Sequence, residues 1–283
     1  MHRSHVCRWL GRSAATLGLL LLSGLARADL MLFPTRIVLE KNQRAAQVEL
    51  INQGRSPETY RINLVNRRMS ETGEFIPVGT PGPGEQFADP LLRYSPRQVT
   101  IAPGGSQTVR ILLRKPAELA AGEYRSHLQF DRVAETSADS SVEGLGKREG
   151  TEIGVSITAL VGASIPLIVR HGDTQASVTL SDLALAAEGP KEGPALTFSI
   201  RREGNRSVYG DLAVSFTPTG GATVDLAKAG GVAVYVPNPT RRARMPLAMT
   251  GASSLPAGLL RLSYRERADA GGKLLAEATL AVP

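Results

Sequence analysis

The clearest hydrophobic pattern of the chain is a strict alternation over residues 153–169. Every odd position in this stretch is apolar, whereas the even positions include glycine, serine, threonine and proline. Side chains of a strand point alternately to its two faces, so a period of two predicts one extended strand with a continuous apolar face. Ordinary strands have about 5–6 residues. This strand is therefore expected either to bend between two sheets or to offer part of its apolar face to a partner.

Shorter alternating segments, separated by turn residues, fill most of the chain on both sides of this stretch. In the absence of helical periodicity, they predict an all-β protein built of β-sandwiches. The pattern breaks at residues 170–173, which predicts a boundary between an N-terminal domain at 29–170 and a C-terminal β-sandwich domain at 171–283. Gly73 and the Pro- and Gly-rich stretch 77–84 are expected to form a loop. A short strand region broken by Pro96 is expected at 91–100. The other strands are expected at 30–39, 46–50, 60–64, 108–113, 124–130, 176–185, 196–201, 208–216, 232–236, 243–249, 259–265 and 276–282.

The N-terminus has the pattern of a secretory signal peptide. Arg3, Arg8 and Arg12 make the first twelve residues basic, and an apolar run follows at 14–25. Ala26-Arg27-Ala28 comes directly after this run. An A-x-A end of this kind predicts cleavage after Ala28 and an exported mature chain that starts at Asp29. No other stretch approaches the roughly 20 apolar residues of a membrane span, so we expect a soluble protein without a membrane span.

Composition and motifs predict neither catalysis nor metal binding. The only cysteine, Cys7, lies in the signal segment, so the mature chain has no thiol. Beyond that segment, His127 and His171 stand apart from any second ligand at metal-binding spacing. We find no phosphate-binding loop, nucleophile elbow or carboxylate pair. The expectation is a protein that is not an enzyme, with no catalytic residues, no metal and no cofactor.

The net charge gives little support for nucleic-acid binding. The formal charge of +7 includes four arginines of the signal segment, whose removal leaves 33 − 4 = 29 basic residues against 26 acidic ones, or +3. Such a small excess, on an exported protein, predicts no nucleic-acid partner.

Arginines within the predicted strands are the remaining charged residues of interest. Arg110 and Arg114 are expected to face solvent from an antiparallel sheet. Arg36 is different, because it shares a strand face with Leu32 and Val38. A buried arginine needs an anionic partner, and an incoming carboxylate could supply one with bidentate geometry.

In order along the chain, several motifs resemble the periplasmic pilus-assembly chaperones of the chaperone–usher pathway, the PapD-like superfamily. Two further motifs resemble its archaic, Csu-type or spore-coat-U-associated branch. The resemblance implies two immunoglobulin-like β-sandwich domains arranged in tandem, in a boomerang-like shape. The motifs of the first kind are PTRIV at 34–38, VELINQ at 48–53 and YSPRQVTIAPGGSQTVRI at 94–111, and those of the second are GEYRSHL at 122–128 and VYG at 208–210.

The resemblance implies a function by donor-strand complementation. A pilus subunit is a sandwich that lacks its last strand, and the chaperone lends it the last strand of its own first domain until an outer-membrane usher exchanges it. The partners implied are pilus or coat-protein subunits and the usher, and self-association through the exposed edge strand is a further expectation. The donor strand is 153–169, and the residues expected to fill the groove of the subunit are Ile153, Val155, Ile157, Ala159 and Val161.

The family also anchors the C-terminal carboxylate of the subunit, with an arginine of the first strand and a lysine of the last. Arg36 stands at the arginine position, but Pro166 occupies the lysine position. The resemblance therefore leaves three alternatives: Arg36 acts alone, Arg125 assists it, or packing of the donor strand replaces the anchor.

Two other classes of protein remain for comparison. A structural or adhesive immunoglobulin-like component of a pilus or surface layer would be expected to carry an N-terminal extension and often a disulfide. A carbohydrate-active enzyme or lectin would be expected to have aromatic clusters, whereas aromatic residues make up 5% of this chain. The chaperone interpretation fits the residues better than either.

Overall fold

The computed structural model describes residues 29–133, 162–187, 193–248 and 255–283. Within these ranges the chain forms eighteen strands in five sheets, and its helical segments are single 3-10 turns such as Asp89–Leu91. The all-β prediction is therefore confirmed. The predicted signal segment and residues 153–161 of the predicted donor strand lie outside the described residues.

The N-terminal group of strands forms a sandwich. One sheet has the order β1-β3-β9-β7, the other has the order β2-β11-β10-β4-β8, and β5 and β6 form a separate hairpin. Alternate residues of both sheets point inward, so Val48 and Ile111 of the first sheet meet Phe130 and Leu167 of the second in one core. The strands are β1 Leu30–Phe33, β2 Ile37–Leu39, β3 Ala45–Asn52, β4 Glu58–Val65, β5 Arg67–Met69, β6 Phe75–Pro77, β7 Leu92–Ser95, β8 Gln98–Ile101, β9 Ser106–Leu113, β10 Gly122–Arg132 and β11 Gly162–His171.

The C-terminal group forms a second sandwich, from sheets of order β12-β13-β16 and β15-β14-β17-β18. Its core includes Phe198, Val214, Leu262 and Tyr264. No sheet combines strands from the two groups, and we propose the division at 170/171 as the domain boundary. The strands are β12 Ala176–Ala187, β13 Pro194–Gly204, β14 Val208–Pro218, β15 Val224–Val234, β16 Thr240–Pro246, β17 Gly258–Arg265 and β18 Leu274–Val282.

The first predicted strand, 30–39, is wrong as a single element. β1 pairs with β3 in one sheet, whereas β2 pairs with β11 in the other, so the chain crosses between sheets at residues 34–36. Pro34 follows a cis peptide bond, and a proline has no N–H with which to continue a strand ladder. The crossing places Arg36 directly before β2, the strand that pairs with β11.

Strand β11 contributes to both sandwiches. It pairs with β10 antiparallel over its full length and with β2 in parallel through Leu167–Val169 alone. Ile165, Leu167 and Val169 are buried in the N-terminal core. Ile168 points the other way and belongs to the C-terminal core cluster. The outer face of this sheet therefore packs against the second sandwich.

A buried ionic cluster joins the two sandwiches. The Glu123 carboxylate accepts hydrogen bonds from Arg170 Nε at 3.0 Å and from the backbone N–H and hydroxyl of Ser207, which precedes β14. Arg170 Nη1 also donates to Glu40 at 3.0 Å. Glu123 is 3% exposed. Removing one partner of such a cluster leaves a charge buried without compensation, so these bonds favour one relative position of the sandwiches.

Candidate functional site

The structure brings together the two arginines that the sequence suggests as carboxylate anchors. Arg36 and Arg125 both lie over the ring of Tyr235, which belongs to the C-terminal sandwich. The second part of the predicted site, the groove-filling residues Ile153, Val155, Ile157, Ala159 and Val161, lies outside the described residues and remains a prediction. We name the described part the arginine cleft, and it consists of Arg36, Phe75, Arg125, His127, Tyr209 and Tyr235.

Strand alternation explains why the arginines of the cleft lie on one face. Tyr124, Leu128 and Phe130 of β10 enter the N-terminal core, so the odd residues Arg125 and His127 point outward, toward the second sandwich. Arg125 lies opposite Ile168 of β11, which in turn pairs with Val38 of β2. Arg36 is two residues before Val38 and thus belongs to the same outward-facing row.

Aromatic rings from both sandwiches surround the two guanidiniums. Arg125 Cζ is 4.4 Å from the ring centroid of Tyr235 and 5.8 Å from that of Phe75. Arg36 Cζ is 4.5 Å from the centroid of Tyr209 and 5.9 Å from that of Tyr235. Each contact of this kind stabilises a cation by roughly 0.5–2 kcal/mol. The rings hold the guanidinium planes in place but provide no hydrogen-bond acceptor for their edges.

Several donors of the cleft have no hydrogen-bond partner. Arg36 Nε and Nη2 and Arg125 Nε and Nη1 are buried and unpaired. In Arg68 of the same protein, Nε and Nη2 each donate at 2.6 Å to one oxygen of the Glu85 carboxylate. The same two donors, Nε and Nη2, are thus unpaired on Arg36. A buried donor without an acceptor costs about 1–3 kcal/mol, and a ligand with a carboxylate would remove that cost.

The charge of the cleft is uncompensated. Burial lowers the pKa of Arg125, an effect that Tyr235, Glu123 and Glu85 oppose and that Arg36 reinforces. Glu123 and Glu85 are the nearby carboxylates, but Glu123 is bonded to Arg170 and Ser207, and Glu85 to Arg68. Two guanidinium charges therefore face each other across aromatic rings, an arrangement that favours an anionic ligand.

His127 lies in the same row and is uncharged near neutral pH. It is 2% exposed, and neither ring nitrogen has a hydrogen-bond partner. Burial, followed by Arg125 and Arg67, lowers its pKa to about 3. Its ring meets Phe75 edge-on, with centroids 5.0 Å apart. Among the described residues, no three His, Cys, Asp or Glu residues come together as a metal site.

The low pKa of His127 predicts a pH dependence of stability. Between its folded value of about 3 and its unfolded value of about 6.5, the unfolded chain binds one proton more than the folded chain. Stability is therefore complete above pH 6.5 and falls toward pH 3, by roughly 1.4 kcal/mol per pH unit from this group. The free energy of unfolding can be measured with urea at several pH values. Its slope against pH between pH 3 and 6.5 should be smaller in His127→Gln than in the parent chain by that amount.

The second described histidine offers a control for this measurement. His171 lies at the end of β11, away from the cleft row, so His171→Gln is the matched histidine substitution outside the cleft. An unchanged slope in His127→Gln would contradict the predicted contribution of this residue.

The sequence gives different amounts of information about the other members of the cleft. Tyr209 lies in the VYG motif that carries part of the family resemblance, although the motif suggests no role for it. Phe75 begins β6, in a hairpin within a stretch that was predicted only as turn and loop. Tyr235 follows β15 and is separated by 110 residues from Arg125 in the chain. Only the pairing of the sandwiches brings it to the arginines.

Pro166 occupies the position at which the resemblance leads us to expect a lysine. It lies on β11 opposite His127, and β2 pairs with β11 only from Leu167 onward. The missing N–H of Pro166 therefore coincides with an unpaired stretch of the strand edge, where a proline is tolerated. Arg125, on the neighbouring strand β10, lies in the same outward-facing row as Arg36, and its part in a carboxylate anchor stays a prediction.

Comparison with known proteins finds similarity in shape. No family model and no curated protein matches the chain. A chain of the chaperone–tip adhesin complex of CFA/I fimbriae matches with 14% identity and a TM-score of 0.45, over 90% of this chain and 98% of that one. A chain of the CsuC–CsuE chaperone–tip adhesion subunit pre-assembly complex, from archaic chaperone-usher Csu pili of Acinetobacter baumannii, matches with 13% identity and a TM-score of 0.44 over the same shares. The CupB2 chaperone of Pseudomonas aeruginosa matches with 13% identity and a TM-score of 0.43, over 89% and 98%.

These structures are of the class of protein that the motifs of the chain resemble. Because the TM-scores and identities are low, we base neither the fold nor the function on them. Within the described residues, no helix is long and apolar enough to span a membrane. The two pairs of packed sheets establish the tandem sandwich fold, and the arginine cleft between them is its candidate binding site.

Proposed function

We propose that this protein is a periplasmic chaperone that binds pilus or secreted coat subunits by donor-strand complementation and delivers them to an outer-membrane usher. It would be exported with the signal peptide 1–28. Residues 153–161 would complete the sheet of the subunit, and the arginine cleft would bind its C-terminal carboxylate. The observation that carries the proposal is the open Nε/Nη2 edge of Arg36, buried beside a second unpaired guanidinium.

The chemistry of the cleft supports a carboxylate as its ligand. A guanidinium edge matches the two oxygens of a carboxylate in spacing and charge, as the Arg68–Glu85 pair illustrates. Arg125 could donate to the same group from the side. Phe75, which is 41% exposed, lies beside Arg125, with its ring centroid 5.8 Å from Arg125 Cζ.

The position of the cleft supports a role beside the predicted donor strand. Residue 161 is joined directly to β11, the strand that adjoins both Arg125 on β10 and the segment after Arg36. Since β2 pairs with β11 only from Leu167 onward, a subunit strand that pairs with 153–161 by β-augmentation could continue along residues 162–166 toward the cleft. Ile153, Val155, Ile157 and Val161 could each contribute roughly 1.5–3 kcal/mol if fully buried, whereas Ala159 would contribute less, which keeps the complex exchangeable.

Co-expression in the periplasm tests this proposal. The chain should form a one-to-one complex with a candidate pilus or coat subunit and protect that subunit from proteolysis. A subunit that accumulates and resists protease equally well without this chain would contradict the chaperone function.

A further inference from the structure

A third arginine of the interdomain region, Arg241 on β16, also has an unpaired donor. Its Nη1 donates to the backbone carbonyl of Ala233 at 2.8 Å, but its Nε is buried without a partner. Burial lowers the pKa of Arg241, and Tyr264 and Tyr235 oppose this effect. Arg241 thus carries a largely buried positive charge with one donor that lacks an acceptor.

Arg241 belongs to the same surroundings as the arginine cleft. Tyr235 opposes the lowering of the pKa of both Arg125 and Arg241. Burial raises the pKa of Tyr264, and both Arg241 and Arg36 oppose that rise. The guanidinium also packs on the β5–β6 turn, where a Cβ added at Gly73 would lie 2.4 Å from Arg241 Nη2. This is the hairpin that carries Phe75. Through Gly73 and the Ala233 carbonyl, two residues before Tyr235, Arg241 lies next to the elements that carry Phe75 and Tyr235 of the cleft.

One carboxylate is too little charge for the cleft and Arg241 together. The fork of Arg36 and a donor of Arg125 satisfy both oxygens of a single carboxylate, which leaves Arg241 uncompensated.

We propose that Arg241 forms a second anionic subsite, which recognises an acidic side chain within the last two residues of the guest chain. This inference rests on the proposed function, since it assumes that the C-terminal carboxylate occupies Arg36 and Arg125. An extended chain advances about 3.3–3.6 Å per residue, so an acid next to the terminus stays within a few ångströms of it. The guest is therefore a chain whose end carries two negative charges.

Three synthetic tripeptides, titrated into the chain 29–283 by calorimetry, test the subsite. They are acetyl-Gly-Asp-Gly and acetyl-Gly-Asn-Gly as free acids, and acetyl-Gly-Asp-Gly as the C-terminal amide. We expect the Asp acid to bind about tenfold more tightly than the Asn acid, the difference made by one charged hydrogen bond. The amide should bind more weakly than the Asp acid.

Variants assign this difference to Arg241. Arg241→Gln should bind the Asp and Asn acids equally and still prefer the acid to the amide, while Arg265→Gln, at an exposed position of β17, should behave as the parent. Because the first comparison uses the parent chain alone, a poorly folded variant does not prevent the test.

The two proposals fail in different ways. Equal affinity of the parent for the Asp and Asn acids, with the amide weaker, would overturn the second subsite and leave the carboxylate anchor standing. Equal affinity for acid and amide, or no binding of any tripeptide at millimolar concentration, would overturn both the anchor and the subsite.

Discussion

Replacing Ile157 and Val161 together with aspartate is expected to abolish subunit capture while the chain stays folded. Each substitution removes roughly 1.5–3 kcal/mol of apolar burial from the proposed donor strand. Each also places a carboxylate in an apolar groove, where an unpaired charge costs several kcal/mol more. The combined loss exceeds a hundredfold in affinity, and it can be measured as the yield of subunit that co-purifies from the periplasm.

The even positions of the same stretch provide the matched control. Ser156 and Thr158 lie on the opposite face of the predicted strand, so Ser156→Asp with Thr158→Asp adds the same charge away from the groove. We expect this variant to retain most of its subunit. If the Ile157/Val161 variant co-purified with its subunit at the parental yield, the donor-strand assignment would be wrong.

Arg36→Gln is expected to weaken subunit binding by about 10- to 100-fold, because the carboxylate loses its bidentate, charged donor. Arg36→Lys should recover only part of the loss, since an ammonium keeps the charge but not the planar fork. The measurement is the dissociation constant of the purified complex for the parent chain and each variant. Arg110→Gln, at an exposed position of β9, is the control for a general loss of positive charge.

A subunit with two added C-terminal residues distinguishes an anchor from a structural arginine. Its carboxylate is displaced from the cleft, so Arg36→Gln should cost little further affinity with this subunit. In the free chain, the same substitution removes an uncompensated buried charge, and we expect the free energy of unfolding to stay constant or rise. A marked loss of stability together with equal losses for both subunits would assign Arg36 a structural role instead.

Local pattern explains why much of the fold could be predicted. Strands β9, β10 and β17 alternate in polarity over part of their length, and the large apolar residues of that pattern, such as Val109, Leu128 and Leu262, are buried in a core. The pattern of apolar residues did not predict the path of the chain where a single residue determines it. Residues 30–39 are mostly apolar on both sides of Pro34, but the missing N–H at that residue and the second sheet nearby divide the segment into β1 and β2.

The site was predicted less completely, because its geometry depends on contacts between the sandwiches. Arg36 could be singled out because it occurs on an otherwise apolar strand face. His127 gave no such indication, and the sequence favoured an ordinary strand residue. Its burial comes from Phe75 and from the second sandwich, neither of which lies near it in sequence. Long-range packing of this kind leaves no periodic trace along the chain.

The pairing of β11 on both sides has a mechanical consequence. A guest that pulls on residue 161 applies force along the axis of β11, parallel to the strand direction. That force loads the ladder with β10 and the shorter ladder with β2 in shear, so that many hydrogen bonds resist at the same time. A partner strand peeled away from 153–161 breaks its own hydrogen bonds one after another. Withdrawal of the guest would therefore leave the first sandwich intact.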